Sequence, residues 1–298
     1  MSGERNFILS VDIGGSSCKI GRVAADGDVS DVKFVPTVEV RSGGVEEFVS
    51  LLAPYLEQHA IDGIAIGLPA TIDWDNNYVR SRCPQVPWLA EAENKRYIED
   101  KLHRPVLLAN DVEALLVGEW IWGELKGMDS GVVISLGESM GSAFLWNSTP
   151  QQGRRGSIME LQHVSLETGG EVIDEQPPGS SSLWLSGGGL RYQMEKKTKI
   201  IDMADFFVTA EQPYKRMKEK FEDKLAHLLG TVVMTLDPER ILLTGGLTAA
   251  HNSWLPAVKE KMEDYVMEQF KGLPTVMLGR LRGEEVVKGP AAFWKWKK

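Results

Sequence analysis

Cysteine is scarce in this sequence of 298 residues, which contains only Cys18 and Cys83. Two cysteines so far apart argue against a disulfide-stapled secreted domain and suit a reducing cytosol. No apolar run is long enough to cross a bilayer, and no long apolar segment precedes a cleavage site near the first residue. We therefore expect a soluble, cytoplasmic protein with no membrane partner.

Positive charge is also in short supply. The chain has 33 lysines and arginines against 42 aspartates and glutamates, which gives a net charge of −9 at pH 7. An acidic surface disfavours nucleic acid or an anionic membrane as a partner. It does not exclude an anionic cofactor, because backbone N–H groups can bind one locally. The length is sufficient for two domains.

The two commonest phosphate-binding motifs are missing. The sequence has neither the GxxxxGK[ST] loop nor the GxGxxG fingerprint. Three glycine-centred turns instead follow predicted strands, beginning at Asp12 (DIGGSS), Leu136 (LGESMG) and Leu243 (LTGGL). Each could be an ordinary turn, but glycines let a backbone approach a bulky ligand, and successive N–H groups can bind an anion. Together they favour a fold in which nucleotide phosphates lie between two β-hairpins.

Strand and helix patterns alternate along the chain, which predicts an α/β protein. We expect an apolar first strand in NFILSVDIGG, a hairpin around Asp26-Gly27, and a helix in GVEEFVSLLAPYLEQHA. Strands in DGIAIGLPATID and PVLLAND follow, and then a second hairpin in SGVVISLGESMGSAFLWN, which hints at internal duplication. Residues 167–182 read as a loop, and the remainder as helical with one strand, ERILLTGG, and a C-terminal helix.

The junction at Asn110 and Asp111 allows two interpretations. In the structural one, Asn110 and Glu113 form a capping-box pattern, and Asp111 lies in the first helical turn, where the helix dipole favours negative charge. In the chemical one, Asp111 lies at the carboxyl end of a strand, where open α/β sheets bind their ligands. The two interpretations are compatible.

The order and spacing of these segments resemble the ROK family (repressor, open reading frame, kinase), within the actin-like ATPase and hexokinase superfamily. The resemblance covers nearly the whole chain and rests on seven segments: DIGGSSCKIGRV, IAIGLPATID, PVLLANDVEALLVGEW, GVVISLGESMGSAFLWN, GSIMELQHVSL, DPERILLTGGLT and KGPAAFW.

The resemblance implies a two-lobed actin-like ATPase (ribonuclease H-like) fold with the active site in the interdomain cleft. The first lobe would comprise residues 1–120 joined by the C-terminal helix at about 286–298, and the second residues 121–285. A homodimer is a further implication. The family's DNA-binding repressors are not expected here, because the first strand begins within the first ten residues and leaves no room for a helix-turn-helix domain before it.

The resemblance also implies ATP-dependent phosphorylation of a hexose or N-acetylhexosamine, usually at the 6-hydroxyl, with Mg²⁺. Asp111 would be the general base, and it would need no unusual pKa because phosphoryl transfer depends mainly on positioning and charge stabilisation. Sugar-binding residues would be Asn110, Glu160 and His163. Asp12 would hold magnesium, through water. The nucleotide would contact Gly14, Gly15, Ser16, Gly137, Gly141, Gly245 and Gly246.

Several residues depart from the family pattern. Ile173, Glu175 and Ser180 fall where the family's zinc-binding cysteines would be, so we expect no structural zinc. Ser182 replaces a frequent sugar-contacting glutamate, which leaves the sugar preference open. Met159 and Gln162 replace glycines beside Glu160, so we expect the backbone there to avoid conformations that only glycine adopts easily.

The second phosphate hairpin departs furthest. The family sequence Gly-Thr-Gly-Ile-Gly-Gly is here Gly137-Glu-Ser-Met-Gly-Ser. Glu138 puts an anion next to the expected phosphates, and Ser139 adds a Cβ atom where the backbone would approach them. Either Glu138 points away or joins the outer ligand shell of the metal, or the protein uses ATP poorly. The alternative function is therefore a catalytically impaired sugar-binding sensor, although retention of Asp111 favours the kinase.

Overall fold

The computed structural model describes residues 6–57, 60–173 and 176–298. Its strands are β1 (Phe7–Ile13), β2 (Ser17–Ala24), β3 (Val29–Pro36), β4 (Ile61–Leu68), β5 (Ile72–Asp73), β6 (Tyr78–Val79), β7 (Val106–Asn110), β8 (Gly131–Leu136), β9 (Met140–Trp146), β10 (Thr149–Pro150), β11 (Arg240–Thr244) and β12 (Thr275–Leu278). Its α-helices are α1 (Thr37–Leu52), α2 (Ala92–Leu102), α3 (Asp111–Trp122), α4 (Ser182–Leu185), α5 (Gly187–Lys197), α6 (Met203–Val208), α7 (Tyr214–Leu236), α8 (Gly246–Ala250), α9 (Leu255–Met262) and α10 (Lys288–Lys297).

The chain divides into two compact units. The first comprises the described residues up to Gly127, together with Gln152–Ile158 and Arg280–Lys298. The second comprises Met128–Gln151 and the described residues of 159–279. No local sequence pattern indicates that the short segment Gln152–Ile158 belongs with the first unit.

The first unit is built on a five-stranded sheet with the strand order β3-β2-β1-β4-β7. Strands β1, β2 and β3 form an antiparallel meander, and β4 and β7 continue the sheet in parallel to β1. The inner strands are almost wholly apolar because both faces of the sheet are covered. The carboxyl ends of β1, β4 and β7 therefore meet at one edge of the sheet.

The C-terminal helix α10 is part of the first unit and packs on α3, β1 and β4. Gly63 on β4 makes room for it, since a Cβ atom there would lie 2.0 Å from the Trp294 ring. A buried carboxylate secures the segment before the helix. Glu119, at the end of α3, accepts hydrogen bonds from the backbone amides of Glu124 and Leu281, each at 2.8 Å.

The second unit has a sheet of the same design. Its strand order is β10-β9-β8-β11-β12, with an antiparallel β8–β10 part and β11 and β12 parallel to β8. The long helix α7 supplies much of its core through an apolar stripe that includes Phe221, Leu225, Leu229 and Val233. The repetition of one strand arrangement agrees with the duplication suggested by the two hairpins.

Both predicted hairpins and the predicted strand-to-helix junction after β7 are present. The expectation of a single strand after residue 182 was wrong, because a second strand, β12, pairs with β11. Strand β12 is only four residues long and follows Pro274, so its sequence pattern is too short to indicate a strand. The predicted helix at 44–60 begins earlier, at Thr37, and is kinked at Gly44, where φ is +68°. Helix α2 was not predicted from the sequence.

Among the described residues, no helix has both the length and the apolar character needed to span a membrane.

Candidate functional site

The β7–α3 junction holds its polar residues by short local hydrogen bonds. Asn110 is the N-cap of α3, and its Oδ1 accepts from the backbone N–H of Val112 and of Glu113, each at 3.0 Å. Its Nδ2 donates to the carbonyl of Ala70 at 3.3 Å. Asp111 follows in the first turn, and its Oδ1 accepts from the amide of Val112 at 3.0 Å. The capping interpretation of the junction is thus correct for Asn110.

Glu113 contacts the side chain of a tryptophan outside its own helix. Its Oε2 accepts a hydrogen bond of 2.9 Å from Trp74 Nε1. Trp74 in turn packs edge-on against Phe293 and Trp296 of α10. The start of α3 is therefore fixed both by its own cap and by the C-terminal helix.

Asp12 lies at the carboxyl end of β1 and is paired with Lys19. The two residues are cross-strand neighbours in the β1–β2 hairpin, and Lys19 Nζ lies 3.1 Å from Asp12 Oδ2. Burial raises the pKa of Asp12, and the Lys19 ammonium opposes this rise. Lys19 was not identified from the sequence, although its place seven residues after Asp12 across a tight hairpin makes such a pairing natural.

Asp12 and Asp111 belong to the same edge of the first sheet. Asp12 is in register with Gly67 on β4, and Gly67 is in register with Ala109 on β7, two residues before Asp111. A Cβ atom on Gly67 would lie 3.0 Å from Pro290 Cγ of α10 and 3.6 Å from Asp111 Cα, so a side chain at this position would crowd the start of α3.

The pKa of the Asp111 carboxyl is strongly shifted by its surroundings. Burial, and next the negative charge of Asp12, raise its pKa from 3.8 to about 7, while the hydrogen bond from Val112 N and the Lys19 charge oppose the rise. The family resemblance implied no unusual pKa for Asp111, and the shift arises from the surroundings of its carboxyl in the fold. A carboxyl that titrates near neutral pH can both accept and release a proton there.

The turn between β1 and β2 is held by Thr37. Its hydroxyl donates to the carbonyl of Gly14 at 2.8 Å, and its amide donates to the carbonyl of Ser16 at 3.1 Å. Gly14 N–H donates to Ser17 O at 3.1 Å, which closes the turn. Gly15 and Ser16 remain exposed at the tip. Their polar groups are therefore accessible to a ligand.

The second hairpin turns at Gly137, Glu138 and Ser139. Gly137 N–H donates to Ser139 O at 3.1 Å, and Gly141 lies in β9 opposite Ser135. Glu138 forms an ion pair with Arg191 of α5. The options considered from the sequence were a side chain that points away, one in the outer ligand shell of the metal, or poor use of ATP, and none of them included a cation of the chain itself. Arg191 was missed in the sequence because nothing local connects residues 53 positions apart.

Gly245 joins β11 to α8, and Gly246 is the first residue of α8. Gly245 has a φ of +94°, and a Cβ atom on it would lie 2.5 Å from the carbonyl oxygen of Leu136. Only glycine fits this position. The turn after β11 is thus packed against the end of β8, next to the second hairpin.

Glu160 and His163 lie together on the surface of the second unit. His163 Nε2 is 3.7 Å from Glu160 Oε2, and His163 Nδ1 is 2.5 Å from Gln176 Oε1. Both side chains are more than 40% exposed. They can offer a carboxylate and an imidazole to a polar ligand.

The backbone before this pair differs from our expectation. Met159 has a φ of +62°, in the left-handed region that we expected a residue other than glycine to avoid. That conformation costs about 1 kcal/mol for such a residue. Packing of Met159 on the core of the second unit and a hydrogen bond from Ser142 Oγ to its carbonyl stabilise it.

The loop where the family has zinc is closed here by the backbone. Ser181 N–H donates a hydrogen bond to Val164 O at 2.8 Å, and Leu166 N–H donates to Gly179 O at 2.9 Å. Between these two bonds, Ser165 and Ser180 form an isolated antiparallel β-bridge. Glu175 lies outside the described residues. Across the described part of the chain, no group of three or more His, Cys, Asp or Glu side chains could hold a metal ion.

The family assignment follows from the whole length of the chain. The ROK family model matches residues 8–297. This chain belongs to the ROK family. It has the two-lobed actin-like ATPase fold of the family.

Two curated relatives are kinases of small sugars. A glucokinase of Thermotoga maritima is 24% identical, with 97% of each chain covered. An N-acetyl-D-glucosamine kinase of Vibrio vulnificus is 25% identical, with 80% of this chain and 81% of the relative covered. Among solved structures, a ROK glucokinase from Streptomyces griseus in complex with glucose and AMPPNP superposes with a TM-score of 0.80. That structure is 19% identical and covers 96% of this chain and 98% of its own.

Proposed function

We propose that this ROK protein is an ATP-dependent sugar kinase that phosphorylates a hexose or N-acetylhexosamine at its 6-hydroxyl. The observation that carries the proposal is the carboxyl of Asp111, fixed at the start of α3 with a pKa raised to about 7. The names of the relatives, glucokinase and N-acetyl-D-glucosamine kinase, support the substrate class.

Asp111 is the general base in this proposal. In its ionised form it accepts a hydrogen bond from the sugar hydroxyl, orients the oxygen for in-line attack, and takes the proton as the bond to phosphorus forms. Its backbone hydrogen bond to Val112 limits rotation of the carboxylate and leaves the second oxygen for the substrate. A base with a pKa near the working pH combines a useful ionised fraction with a strong drive to accept the proton.

Asn110, Glu160 and His163 bind the sugar. Asn110 Oδ1 is committed to the helix cap, but Nδ2 has two hydrogens and gives only one to Ala70 O, so one donor remains for a ring hydroxyl. Glu160 and His163 provide an acceptor and a donor for further hydroxyls.

The proposed nucleotide contacts divide between the two hairpins and the Gly245-Gly246 turn. The exposed Gly15 and Ser16 and the turn at Gly137 supply N–H and hydroxyl donors to phosphates, with Gly141 behind them in β9. Gly245 holds the turn close to β8, and Gly246, where a Cβ atom would meet nothing within 4 Å, leaves room for the adenosine.

Asp12 fits a magnesium ion held through water. Magnesium takes oxygen ligands, keeps several of its waters, and is usually bound by one or two carboxylates together with substrate phosphates. Asp12 Oδ2 is paired with Lys19, which leaves Oδ1 for a bound water. When bound, the ion would neutralise charge on the phosphates. Burial raises the pKa of Asp12, and the Lys19 ammonium opposes that rise and so favours the ionised form.

A coupled ADP-release assay over hexoses and N-acetylhexosamines with Mg·ATP tests the proposal. We expect turnover that requires one of these sugars and that falls by at least a thousandfold in Asp111→Asn. Turnover with no sugar specificity, or unchanged turnover in the variant, would contradict the assignment.

Glu138 favours a second candidate function, a sugar-binding sensor without catalysis. Its negative charge in the second hairpin opposes nucleotide binding. A sensor would show a higher melting temperature with a sugar and no ADP release with any sugar.

A further inference from the structure

The tip of the second hairpin is joined to the first turn of α5. Gly187 N–H donates to Gly137 O at 2.8 Å, and Gly188 N–H donates to Glu138 O at 3.0 Å. Gly189 N–H is taken by the hydroxyl of Ser186, the N-cap of α5. The first amides of this helix therefore already have acceptors within the protein.

The Glu138 side chain lies over this glycine turn. A Cβ atom at Gly187 would lie 3.4 Å from Glu138 Oε2, and one at Gly188 would lie 3.4 Å from Oε1. One turn further along α5, Arg191 forms the ion pair with Oε2. The carboxylate is therefore positioned by two glycines beneath it and one guanidinium beside it.

The pair remains accessible. The side chains of Glu138 and Arg191 are 49% and 37% exposed. An ion pair in contact with water contributes little to stability, so a stronger anion can displace one of its partners at small cost. Phosphate is such an anion, because it binds a guanidinium through two parallel hydrogen bonds and carries more charge than a carboxylate.

We propose that Glu138 and Arg191 form a gate for the phosphoryl donor. Without nucleotide, Arg191 is paired with Glu138; with nucleotide bound, Arg191 pairs with a donor phosphate and Glu138 turns to solvent. Glu138 thereby lowers the affinity of the hairpin for polyphosphates, and Arg191 is a phosphate-binding residue. The inference rests on the proposed function, since it assigns the hairpin to the donor.

The test measures binding of Mg·AMPPNP and of adenosine, by calorimetry, to the full chain. Glu138→Gln keeps the size of the side chain and removes its charge. We expect it to bind Mg·AMPPNP about tenfold more tightly, with adenosine binding unchanged because adenosine has no phosphate. Arg191→Gln should bind Mg·AMPPNP several-fold more weakly. The double variant should bind it more weakly than Glu138→Gln does.

Glu171→Gln is the matched control. Glu171 is 47% exposed and pairs with Lys196 of α5, so Glu171→Gln removes a carboxylate of similar exposure that pairs with the same helix but lies outside the hairpin. It should bind Mg·AMPPNP as the unmodified chain does. Far-ultraviolet circular dichroism and melting curves establish that all variants are folded, which is expected for exposed pairs.

Two results would overturn the gate. One is Glu138→Gln binding Mg·AMPPNP within twofold of the unmodified chain, and the other is a double variant that binds as tightly as Glu138→Gln. If either occurs while the unmodified chain still turns over a sugar, the gate fails and the kinase stands. Absence of nucleotide binding in both the unmodified chain and Glu138→Gln, with no turnover, overturns both. Binding only in Glu138→Gln supports the gate.

Discussion

Replacing Asp111 by asparagine should stabilise the protein while it removes catalysis. A pKa raised from 3.8 to about 7 means that the folded protein disfavours the ionised carboxyl by about 4 kcal/mol. Asparagine keeps the acceptor for Val112 N and removes the buried charge and its repulsion by Asp12. Its side-chain NH₂ group replaces an oxygen that can accept hydrogen bonds, and burying those N–H donors without acceptors costs about 2 kcal/mol. We therefore expect a net gain of about 2 kcal/mol at pH 8.

The gain should depend on pH. Between pH 4 and 7 the folded protein holds the Asp111 proton more tightly than the unfolded chain does. The stability of the unmodified protein therefore falls as pH rises through that window. The variant lacks this loss, so its advantage should appear at pH 8, vanish near about pH 5 and become a deficit of about 2 kcal/mol near pH 4, where only the cost of the amide protons remains.

Melting curves at pH 4.5 and pH 8 measure this difference. At pH 8, the gain corresponds to a melting temperature about 4 °C higher for Asp111→Asn. Asp100→Asn, which alters an exposed carboxylate on α2, serves as the control and should leave the melting temperature unchanged at both pH values. A variant that is no more stable than the unmodified protein at pH 8, or equally stabilised at both, would refute the account of Asp111 as a buried, charge-repelled carboxyl.

Three further outcomes are expected. The kcat/KM for the sugar should fall tenfold per pH unit below about pH 7, as Asp111 becomes protonated; a flat profile from pH 5 to 8 would contradict its role. Glu119→Gln should lower the free energy of unfolding, measured in urea, by about 2 kcal/mol, because the backbone amide of either Leu281 or Glu124 then faces the side-chain NH₂ group instead of an oxygen. Gly63→Ala should lose a similar amount through its clash with Trp294, and unchanged unfolding would mean that α10 packs elsewhere.

Local sequence patterns predicted the features that local chemistry determines. The apolar run ending at Asn110 and the cap that follows define the β7–α3 junction without help from the rest of the chain. The β2–β3 and β8–β9 hairpins were predicted from short turns between stretches rich in β-branched residues. The family resemblance then pointed to Asp111 itself.

The features that sequence reasoning missed depend on contacts distant in sequence. Lys19 becomes a partner of Asp12 only when the β1–β2 register is known. Arg191 reaches Glu138 only because α5 starts at the hairpin tip. The raised pKa of Asp111 also depends on the assembled sheet, which buries the carboxyl and places Asp12 of β1 at the same edge.

Met159 shows why a substitution pattern alone can mislead. The loss of a family glycine suggested a backbone without left-handed conformations, yet Met159 has one. That conformation costs about 1 kcal/mol, and the packing of the half-buried Met159 side chain on the core of the second unit offsets the cost.

Identification of the product tests the central claim most directly. The purified protein is incubated with Mg·ATP and the sugar that gives the fastest ADP release, and the phosphorylated sugar is analysed by phosphorus-31 nuclear magnetic resonance. The account predicts a phosphomonoester on the 6-hydroxyl, formed in step with ADP and not formed by Asp111→Asn. A phosphate on another hydroxyl, or equal product from the variant, would contradict it.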